Sequence, residues 1–488
     1  MINWCCLFSI KHNAILLQNR ARSKLESNDD TIFYGMMVDP LTLFQQRRDG
    51  FELVAEGSDR FAEIVDRTLA ELQSFPKQPT VLLCEAEPVV FLAKFLAACI
   101  ANVPLFLANP NWRESEWKQV REIAEFDVVW GTTAVSATHS QKNREIHPGI
   151  AIPTGGSSGK IRFAVHTWET LCASVFGFRQ QFHLETINCC CTLPLFHVSG
   201  LMQFMRSLVT GGTLAICYSK AIESATFPNL EPETFWISLV PTQLNRLLNS
   251  PKTATWLSCF QGVLLGGAPA WQSLLEKAKQ FEIPVALTYG MTETASQVVT
   301  LHPHEFLKGN FSSGRVLPHA EVSILDELGN PLSPGEIGRV AIRSQSLMLG
   351  YSPLGKTERL QRLDTDDTGY FDENGFLHLL GRDSQKIITG GENVFPVEVE
   401  NAVRSTGFVE DICVVGIPDS DWGEIVTAVY VARIEIISQN IKKELKKLLS
   451  SYKHPKKWIR VEQLPRNNRG KVNFQEVKRL ATAENDKF

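Results

Sequence analysis

The sequence predicts an α/β protein with a large N-terminal domain of layered α/β sheets and a small, mobile α+β C-terminal domain. Between about residues 80 and 290, short apolar runs alternate with helix-length amphipathic stretches, a pattern typical of largely parallel sheets. Between about residues 311 and 380, short strands with turn signals replace that pattern and predict a small β unit. After Gly381-Arg382, about 105 residues carry their own strands and an amphipathic helix, which predicts a separate domain.

The predicted strands of the large domain are short apolar runs rich in β-forming residues. In chain order they lie at residues 80–83, 127–130, 149–153, 189–193, 213–217, 236–240, 262–265 and 285–288. Helix-length patterns predict helices near 87–101 and from about 167 to 182. Asp, Asn and Gly cluster at 326–331 and 372–375, so tight turns are expected there.

The C-terminal region predicts strands near 411–417 and 426–433 and one strongly amphipathic helix. The apolar positions of this helix recur at i, i+4, i+7 and i+8 and predict one packed face: Ile441, Leu445, Leu448 and Leu449. The lysines between them then form the solvent side: Lys442, Lys443, Lys446 and Lys447. The alternative is that these lysines help to attract an anionic cofactor such as coenzyme A.

The predicted organisation is a large domain over 37–380, a hinge over 381–385 and a C-terminal domain over 386–488. Residues 1–36 are treated separately, because residues 1–25 contain basic but no acidic residues, as an organellar transit segment would. Met36-Met37 offers another start, which would make the preceding residues an extension. We therefore expect a cytoplasmic protein, with an organellar location as the alternative.

Composition limits the classes of partner. With 44% hydrophobic residues, 21% charged residues and a net charge of -4, the chain resembles ordinary soluble globular proteins, and no nucleic-acid partner is expected. The most apolar window, from Val89 to Ala108, contains Lys94 and Pro104 and predicts a buried helix followed by a strand. We expect no membrane span, and a homo-oligomer is compatible with the sequence.

The cysteines indicate a reducing compartment rather than a disulfide framework. The chain has 11 cysteines, including Cys5-Cys6 and the triplet Cys189-Cys190-Cys191, but lacks a Cys-x-x-Cys pair. The triplet lies in an apolar run, so we interpret it as small buried hydrophobic residues. A redox or metal role is the less favoured alternative.

Two segments indicate phosphate chemistry. The first, Thr154-Gly155-Gly156-Ser157-Ser158-Gly159-Lys160, combines hydroxyl groups with glycines that allow close backbone approach to a phosphate. A Walker loop would need glycine at position 154, so that interpretation fails, and a Gly/Ser turn without a ligand remains the alternative. The second, 465–471, ends in Lys471, which can neutralise charge during phosphoryl transfer.

The loop and several later segments resemble the adenylate-forming superfamily of acyl-CoA and aryl-CoA ligases, luciferases and adenylation domains. Tyr289-Gly290-Met291-Thr292-Glu293-Thr294 is similar to that family's hallmark motif, which implies that Thr292 meets the α-phosphate and Glu293 helps to hold Mg²⁺. Lys471 falls on the family's adenylation lysine. These three residues are the expected catalytic residues.

The same resemblance implies an ATP site. Gly266-Gly267-Ala268-Pro269 matches the stretch beside adenine, Asp367 matches the ribose-binding aspartate, and Arg382 matches the following arginine. The expected ATP-binding residues also include the loop and the hallmark motif: Thr154, Gly155, Gly156, Ser157, Ser158, Gly159, Tyr289, Gly290, Met291 and Lys471. The chain departs from the family pattern at two places. The loop ends Gly159-Lys160-Ile161-Arg162 and lacks the usual proline, and the hinge position is Ser384, where the family frequently has aspartate or lysine. Asp383, next to Ser384, is expected to share the hinge role.

The reaction that this resemblance implies has two steps. A carboxylate attacks the α-phosphorus of ATP to give an acyl-adenylate and pyrophosphate, and a thiol then displaces AMP. The C-terminal domain must turn between the steps, which removes Lys471 and brings Gly390 and Gly391 to the site as coenzyme A-binding residues. ATP, Mg²⁺ and coenzyme A are the expected cofactors and co-substrates.

The acid-binding segment is more specific. Leu193-Pro194-Leu195-Phe196-His197-Val198-Ser199-Gly200, with Arg206 and Ser296-Gln297 further on, resembles o-succinylbenzoate–CoA ligases of the menaquinone and phylloquinone pathway. The expected substrate-binding residues are His197, Ser199, Gly200, Arg206, Gly290, Ser296 and Gln297. A guanidinium offers paired donors to a carboxylate, so Arg206 is the expected anchor. The alternatives are that Arg206 lies on a helix surface and that His197 only packs at the pocket wall.

Other functions remain open from the sequence. An aryl- or fatty-acyl-CoA ligase would share the ATP motifs and differ in the pocket. Relatives that activate amino acids usually carry aspartate where this chain has His197, so a free α-amino acid is not expected. A non-catalytic adenylate-binding module is the alternative from another class, and the presence of Lys471, Glu293 and Asp367 argues against it.

Overall fold

The computed structural model describes residues 38–48, 50–133, 135–137, 148–155, 160–353, 360–432, 438–466 and 471–483. The predictions for residues 1–36 lie outside these ranges. So do those for Gly156, Ser157, Ser158 and Gly159 of the phosphate loop.

The elements of the described residues are labelled in chain order. The helices are α1 (Pro40–Arg47), α2 (Phe61–Gln73), α3 (Pro88–Ala101), α4 (Glu114–Ile123), α5 (Trp168–Gln181), α6 (Val198–Thr210), α7 (Ser219–Glu223), α8 (Pro241–Leu247), α9 (Pro251–Ser258), α10 (Gln272–Gln280), α11 (Pro303–Leu307), α12 (Pro396–Ser405), α13 (Ser438–Leu448) and α14 (Phe474–Ala483). The strands are β1 (Leu53–Val54), β2 (Val81–Cys84), β3 (Leu105–Leu107), β4 (Val128–Gly131), β5 (Ile150–Gly155), β6 (Ile161–His166), β7 (Asn188–Cys191), β8 (Leu214–Ile216), β9 (Phe235–Leu239), β10 (Gly262–Leu265), β11 (Val285–Met291), β12 (Ser296–Thr300), β13 (Arg315–Val316), β14 (Ala320–Leu325), β15 (Gly338–Ser344), β16 (Gly350–Tyr351), β17 (Leu363–Phe371), β18 (Leu377–Arg382), β19 (Ile387–Thr389), β20 (Glu392–Val394), β21 (Asp411–Asp419), β22 (Gly423–Val431) and β23 (Lys457–Arg460).

Two large sheets form the layers of the N-terminal region. One has the order β1-β8-β7-β9-β10-β11-β12-β13 and is parallel from β1 to β11, and the other has the order β16-β6-β5-β3-β2-β4. A single apolar cluster joins helices α2, α3, α5 and α6 to both sheets. The predicted α/β class with largely parallel sheets is confirmed, because these helices bury their apolar faces between the sheets.

Capping residues in the local sequence determine where helix α3 begins and ends. The Glu87 carboxylate accepts hydrogen bonds from the backbone N–H groups of Val89 and Val90 at 3.0 and 2.9 Å, and Pro88 occupies the first turn. The helix ends at Asn102 in the left-handed region. It is buried in the core, as predicted, and among the described residues no helix is both long and apolar enough to cross a membrane.

The small β unit is a four-stranded antiparallel sheet in the order β14-β15-β17-β18. Two short strands from the same stretch pair elsewhere, β13 with β12 and β16 with β6. A two-residue strand carries too little hydrophobic pattern to reveal its partner, so their placement had no signal in the sequence.

The C-terminal region forms a sheet in the order β20-β19-β22-β21, with β23 beside β22. Apolar clusters on its two faces contain residues from position 387 onward alone, so this region has its own core. The bounds proposed for the large domain, the hinge and the C-terminal domain remain a prediction.

Helix α13 corrects one expectation. Ile441 and Leu445 are buried and Leu449 packs beside them, but Leu448 is 53% exposed, so its assignment to the packed face was wrong. Leu448 is the last residue of the helix, where the helical spacing no longer fixes the direction of the side chain. Lys443, Lys446 and Lys447 are exposed, as predicted, and the side chain of Lys442 lies outside the described part.

The cysteine triplet is buried on strand β7, as predicted. Burial raises the pKa of the Cys189 thiol, and it raises that of Cys191 to about 12. All cysteines of the described residues are free, and within those residues no group of three or more potential ligands could hold a metal ion. These buried thiols behave as small apolar residues.

Candidate active site

The hallmark motif occupies the end of β11 and a single 3-10 turn at Thr292–Thr294. The Glu293 carboxylate in this turn is buried, with 8% of the residue exposed. Its Oε1 accepts a hydrogen bond from the Thr154 hydroxyl at 3.3 Å and another from the Tyr351 hydroxyl at 2.7 Å. Thus the turn brings together the predicted magnesium ligand and the first hydroxyl of the phosphate loop.

Tyr351 was not predicted as a site residue. Burial, followed by the nearby Glu293 charge, raises the pKa of its phenol, so the hydroxyl stays protonated and donates to the carboxylate. The Arg162 guanidinium lies 4.3 Å from the centre of the Tyr351 ring. Both hydrogen bonds from these hydroxyls end on Oε1, which leaves the second carboxylate oxygen suited to a hard cation such as Mg²⁺.

Backbone contacts fix the turn in place. The His166 Nε2 donates to the Thr292 carbonyl at 2.7 Å, while its Nδ1 lies 3.0 Å from the Thr170 hydroxyl. Burial lowers the pKa of His166 to about 4, so the ring is neutral, with its proton on Nε2. The Met348 N–H donates to the Glu293 carbonyl at 2.9 Å. His166 therefore positions the Thr292 backbone, a role that sequence patterns did not reveal.

Three predicted nucleotide residues also meet. The Tyr289 hydroxyl donates to Asp367 Oδ2 at 2.8 Å, and Arg382 Nε lies 3.4 Å from Asp367 Oδ1. Asp367 and Arg382 are paired across β17 and β18, so the sheet register sets this ion pair. Burial, followed by the Asp367 charge, raises the pKa of the Tyr289 phenol. The Asp367 carboxylate is thus held between the Tyr289 hydroxyl and the Arg382 guanidinium.

The proposed adenine segment follows β10 at the surface. Gly267 has φ +78°, in the left-handed region that favours glycine. A Cβ atom on Gly266 would lie 2.2 Å from the Thr288 hydroxyl oxygen. Gly267, Ala268 and Pro269 are exposed, so this short stretch presents backbone and small side chains on which a flat base could rest.

Arg206 is buried rather than on a helix surface, with 2% of the residue exposed. Its Nη2 donates to the Ser296 hydroxyl at 3.1 Å and to Gln297 Oε1 at 2.8 Å, and its guanidinium lies 4.7 Å from the centre of the Phe178 ring. Burial lowers the pKa of Arg206. The structure thus brings together three residues predicted to bind the acid, and it removes the surface alternative for Arg206.

Several polar atoms around Arg206 are buried and make no hydrogen bond to the described residues. Arg206 Nε and Gln297 Nε2 are buried without a hydrogen-bond partner among the described residues, as is Oε1 of the fully buried Gln203. Ser296 has φ 139° and the preceding Ala295 has φ 54°, conformations that cost free energy for residues other than glycine. Strain and unpaired donors at one place are typical of a binding site.

Local packing also accounts for the residue types at several other positions of the predicted acid site. His197 precedes α6 and packs on Phe196 with ring centres 4.5 Å apart. A Cβ atom on Gly200 would lie 2.2 Å from the Pro194 carbonyl oxygen, and one on Gly290 would lie 2.0 Å from the Ser296 carbonyl oxygen. Backbone packing therefore explains both glycines. Ser199 is exposed at the start of α6, and its carbonyl accepts from Gln203 Nε2 at 3.0 Å.

The Gly390–Gly391 turn and the segment with Lys471, both predicted to serve the site, lie at opposite ends of the β21–β22 ladder. Gly390 and Gly391 form the turn between β19 and β20, and the Gly390 N–H donates to the Trp422 carbonyl at 2.9 Å, beside the turn that joins β21 to β22. The segment with Lys471 meets the other end, where Arg466, which pairs with Val472, forms an ion pair with Asp411. The ladder runs through nine residue pairs, or roughly 26 Å.

The predicted hinge is held by two carboxylates. Asp366 Oδ1 accepts from the Ser384 N–H at 3.0 Å, and its Oδ2 accepts from the Ser384 hydroxyl. Asp383 forms an ion pair with Lys386 at 2.6 Å. Asp366 was not predicted as a site residue, because a strand carboxylate near a turn has no distinctive pattern.

Comparison with known proteins agrees with this geometry. A family model described as "AMP-binding enzyme" matches residues 100–352, which is more than half of the chain, and the model of its C-terminal domain matches residues 398–471. The chain belongs to the AMP-binding enzyme family. We therefore interpret the three groups of residues around Glu293, Asp367 and Arg206 as parts of an AMP-binding enzyme.

Curated members of this family with similar sequences carry the name 2-succinylbenzoate–CoA ligase. The protein from Listeria monocytogenes serovar 1/2a is 34% identical over 89% of this chain and 95% of its own length. The protein from Enterococcus faecalis is 32% identical over 65% of this chain and 67% of its own length. The match to the Oceanobacillus iheyensis protein, at 36% identity, spans 57% of this chain and 58% of that protein.

Solved structures extend the likeness over most of this AMP-binding enzyme. The o-succinylbenzoate CoA synthetase (MenE) of Bacillus subtilis, in complex with the acyl-adenylate intermediate OSB-AMP, matches with a TM-score of 0.75 and 25% identity. The match covers 90% of this chain and 97% of that one. ATP-bound MatB from Rhodopseudomonas palustris matches with a TM-score of 0.76 at 23% identity, over 90% and 98%, and shows the fold alone.

Proposed function

We propose that this protein is an ATP-dependent ligase that activates o-succinylbenzoate as an acyl-adenylate and transfers it to coenzyme A. The names of the relatives support this substrate, and membership of the AMP-binding family supports the chemistry. The observation that carries the substrate proposal is the buried Arg206 beside Ser296 and Gln297.

A buried guanidinium is costly unless it is paired with an anion. The hydrogen-bond acceptors of Arg206 among the described residues are a hydroxyl and an amide, both neutral, and its Nε has no partner there. A carboxylate placed against this guanidinium would meet donors already held in direction by Ser296 and Gln297. The fully buried Phe178 ring packs against the guanidinium and helps to hold it in place. A substrate with a second carboxylate fits this guanidinium.

The first step places the succinyl carboxylate for attack on the α-phosphorus of ATP. We assign Thr292 to the α-phosphate, Glu293 to Mg²⁺, and the Asp367 carboxylate to the ribose hydroxyls. The bound Mg²⁺ would supply charge neutralisation at the phosphates. Thr154 and Tyr351 hold the Glu293 carboxylate in one direction, and His166 holds the turn that carries Thr292. Lys471 is assigned to neutralise charge as the bond to pyrophosphate breaks.

The second step requires a different arrangement of the C-terminal region. Lys471 and the Gly390–Gly391 turn lie near opposite ends of the β21–β22 ladder. Both cannot enter the same site together, because the ladder between them is roughly 26 Å long. We therefore assign to residues 381–385 the rotation that withdraws Lys471 and admits the turn with coenzyme A.

The experiment that tests this function uses purified protein with Mg-ATP and coenzyme A. The acids are o-succinylbenzoate, benzoate, a cinnamate and a medium-chain fatty acid, with pyrophosphate release and acyl-CoA mass as readouts. Preference for o-succinylbenzoate is expected. Preference for another acid would keep the chemistry and overturn the assignment of Arg206. Absence of pyrophosphate release with all four acids would support an adenylate-binding module.

We also propose a cytoplasmic location, supported by the free cysteines of the described residues. A transit segment within residues 1–36 would instead direct the protein to an organelle. Imaging of the full chain with a C-terminal fluorescent tag distinguishes the two locations. A homo-oligomer stays a prediction, and light scattering at assay concentration tests it.

A further inference from the structure

Asp366 and Asp367 are neighbours on β17 but contact different parts of the protein. Asp367 lies with Tyr289 and Arg382 at the proposed nucleotide site, whereas Asp366 binds Ser384 in the proposed hinge. Adjacent side chains of a strand point to opposite faces of a sheet, so one strand serves both places. The side chain of Asp366 accepts from both the backbone N–H and the hydroxyl of Ser384, and it therefore restrains the backbone of that residue.

A second contact joins the C-terminal region to the large domain. The Arg404 guanidinium, on α12, lies 5.1 Å from the centre of the Trp271 ring, which precedes α10. The same guanidinium donates to the Asp411 carboxylate and to the Ile412 carbonyl, both at 2.8 Å. Arg404 is thus fixed within its own domain, and Trp271 is the surface on which it rests.

Both contacts belong to one arrangement of the two regions. Gly390, Gly391, Glu392 and Asn393 are exposed in this arrangement, so the turn proposed to bind coenzyme A does not cover the acid site. Rotation about residues 381–385 would change the backbone of Ser384 and separate α12 from Trp271. The contacts therefore oppose the arrangement required for thioester formation.

We propose that Asp366 and Trp271 are positioning residues that hold the C-terminal domain in the arrangement with the coenzyme A turn withdrawn. They act through Ser384 and Arg404, respectively, and set the balance between adenylate formation and thioester formation. This inference rests on the proposed function for its catalytic consequence. The restraint on the hinge itself is measurable without catalysis.

The two half-reactions are measured separately. Pyrophosphate release without coenzyme A reports adenylate formation, and conversion of supplied o-succinylbenzoyl-adenylate with coenzyme A reports thioester formation. In Asp366→Ala, the ratio of the thioester rate to the adenylation rate is expected to rise about fivefold, since two hydrogen bonds to a carboxylate are lost. The ratio is independent of the fraction of active enzyme. An unchanged ratio would overturn the role of Asp366.

Further variants separate a restraint from general damage. Ser384→Ala keeps its backbone N–H and should raise the ratio less than Asp366→Ala does, while the double variant should match Asp366→Ala. Additive effects would contradict a shared contact. Trp271→Leu keeps apolar packing and should also raise the ratio. Glu373→Gln changes an exposed acid in the turn between β17 and β18 and should leave it unchanged.

A protease test is independent of the substrate. Trypsin cleavage after Arg382 and Lys386, followed by intact mass, should be at least about threefold faster in Asp366→Ala than in the wild type or in Glu373→Gln. Equal cleavage would overturn the restraint. If the wild type forms no adenylate, the proposed function fails, and faster cleavage would still support the contact between Asp366 and Ser384.

Discussion

Replacement of Arg206 by methionine is the most direct test of the acid site. Methionine has a similar length and no charge, so it fills the space against Phe178 and removes the donors to Ser296 and Gln297. Because Arg206 is buried, its pairing with a ligand carboxylate would be little screened by solvent. Loss of one partner from such a pair costs about 3 kcal/mol, or roughly a hundredfold in kcat/KM.

The assay compares two acids in the same enzyme preparation. One is o-succinylbenzoate, and the other is 4-oxo-4-phenylbutanoate, which retains the carboxylate to be activated and lacks the carboxylate on the ring. For Arg206→Met, kcat/KM should fall about a hundredfold for the first acid and less than about threefold for the second. The ratio of the two values cancels differences in folded protein.

The outcome that refutes this reasoning is an equal fall for both acids. It would mean that Arg206 supports the shape of the pocket and does not contact the ring carboxylate. Ser207→Ala is a matched control, because Ser207 is the next residue of α6 and its hydroxyl donates to the Thr213 carbonyl at 2.9 Å, away from the predicted acid residues. This variant should leave the ratio of the two acids unchanged.

Three further predictions concern other parts of the molecule. Lys471→Ala should slow pyrophosphate release by about a hundredfold or more and leave conversion of supplied adenylate nearly intact, and equal loss of both steps would contradict its assignment. Tyr351→Phe should weaken the use of Mg²⁺ by about five- to tenfold, since Glu293 loses a hydroxyl donor; titration of pyrophosphate release with Mg²⁺ tests this, and an unchanged half-saturating concentration would contradict it. Burial lowers the pKa of His166 and of His319 to about 4, below the ordinary 6.5, so the stability associated with each neutral ring is complete above pH 6.5 and is lost as pH falls towards 4. The loss is up to about 3 kcal/mol per histidine, and urea unfolding of His319→Gln between pH 7 and 4 should show a shallower decline; an identical pH dependence would contradict the assignment.

Much of the fold was predictable because its signals are local. The buried helix α3 follows from an apolar stretch with Pro88 in its first turn, and the predicted strands 189–193 and 262–265 correspond to β7 and β10. The prediction that Leu448 lies on the packed face was wrong because Leu448 is the last residue of α13. The partners of β13 and β16 were not predictable, since two residues carry no period.

The candidate site was predictable where resemblance supplied positions. The structure groups Thr154 with Glu293, Asp367 with Tyr289, and Arg206 with Gln297, each pair being far apart in the sequence. Such pairs meet because the fold brings strands and helices from distant parts of the chain together; Arg206, for example, lies on helix α6 and Gln297 on strand β12. Tyr351 was missed because it lies in a two-residue strand without a recognisable pattern, and His166 was missed because a single histidine at the end of an apolar strand carries no distinctive signal.

The sequence by itself determined the α/β class, the approximate places of its strands and helices, and the motifs that mark nucleotide chemistry. These are properties of local composition, spacing and resemblance. Tertiary structure alone decided that Arg206 is buried against Phe178, that Tyr351 reaches Glu293, and that Asp366 binds Ser384. Those contacts depend on sheet register and chain crossing, which bring together residues that no local pattern connects.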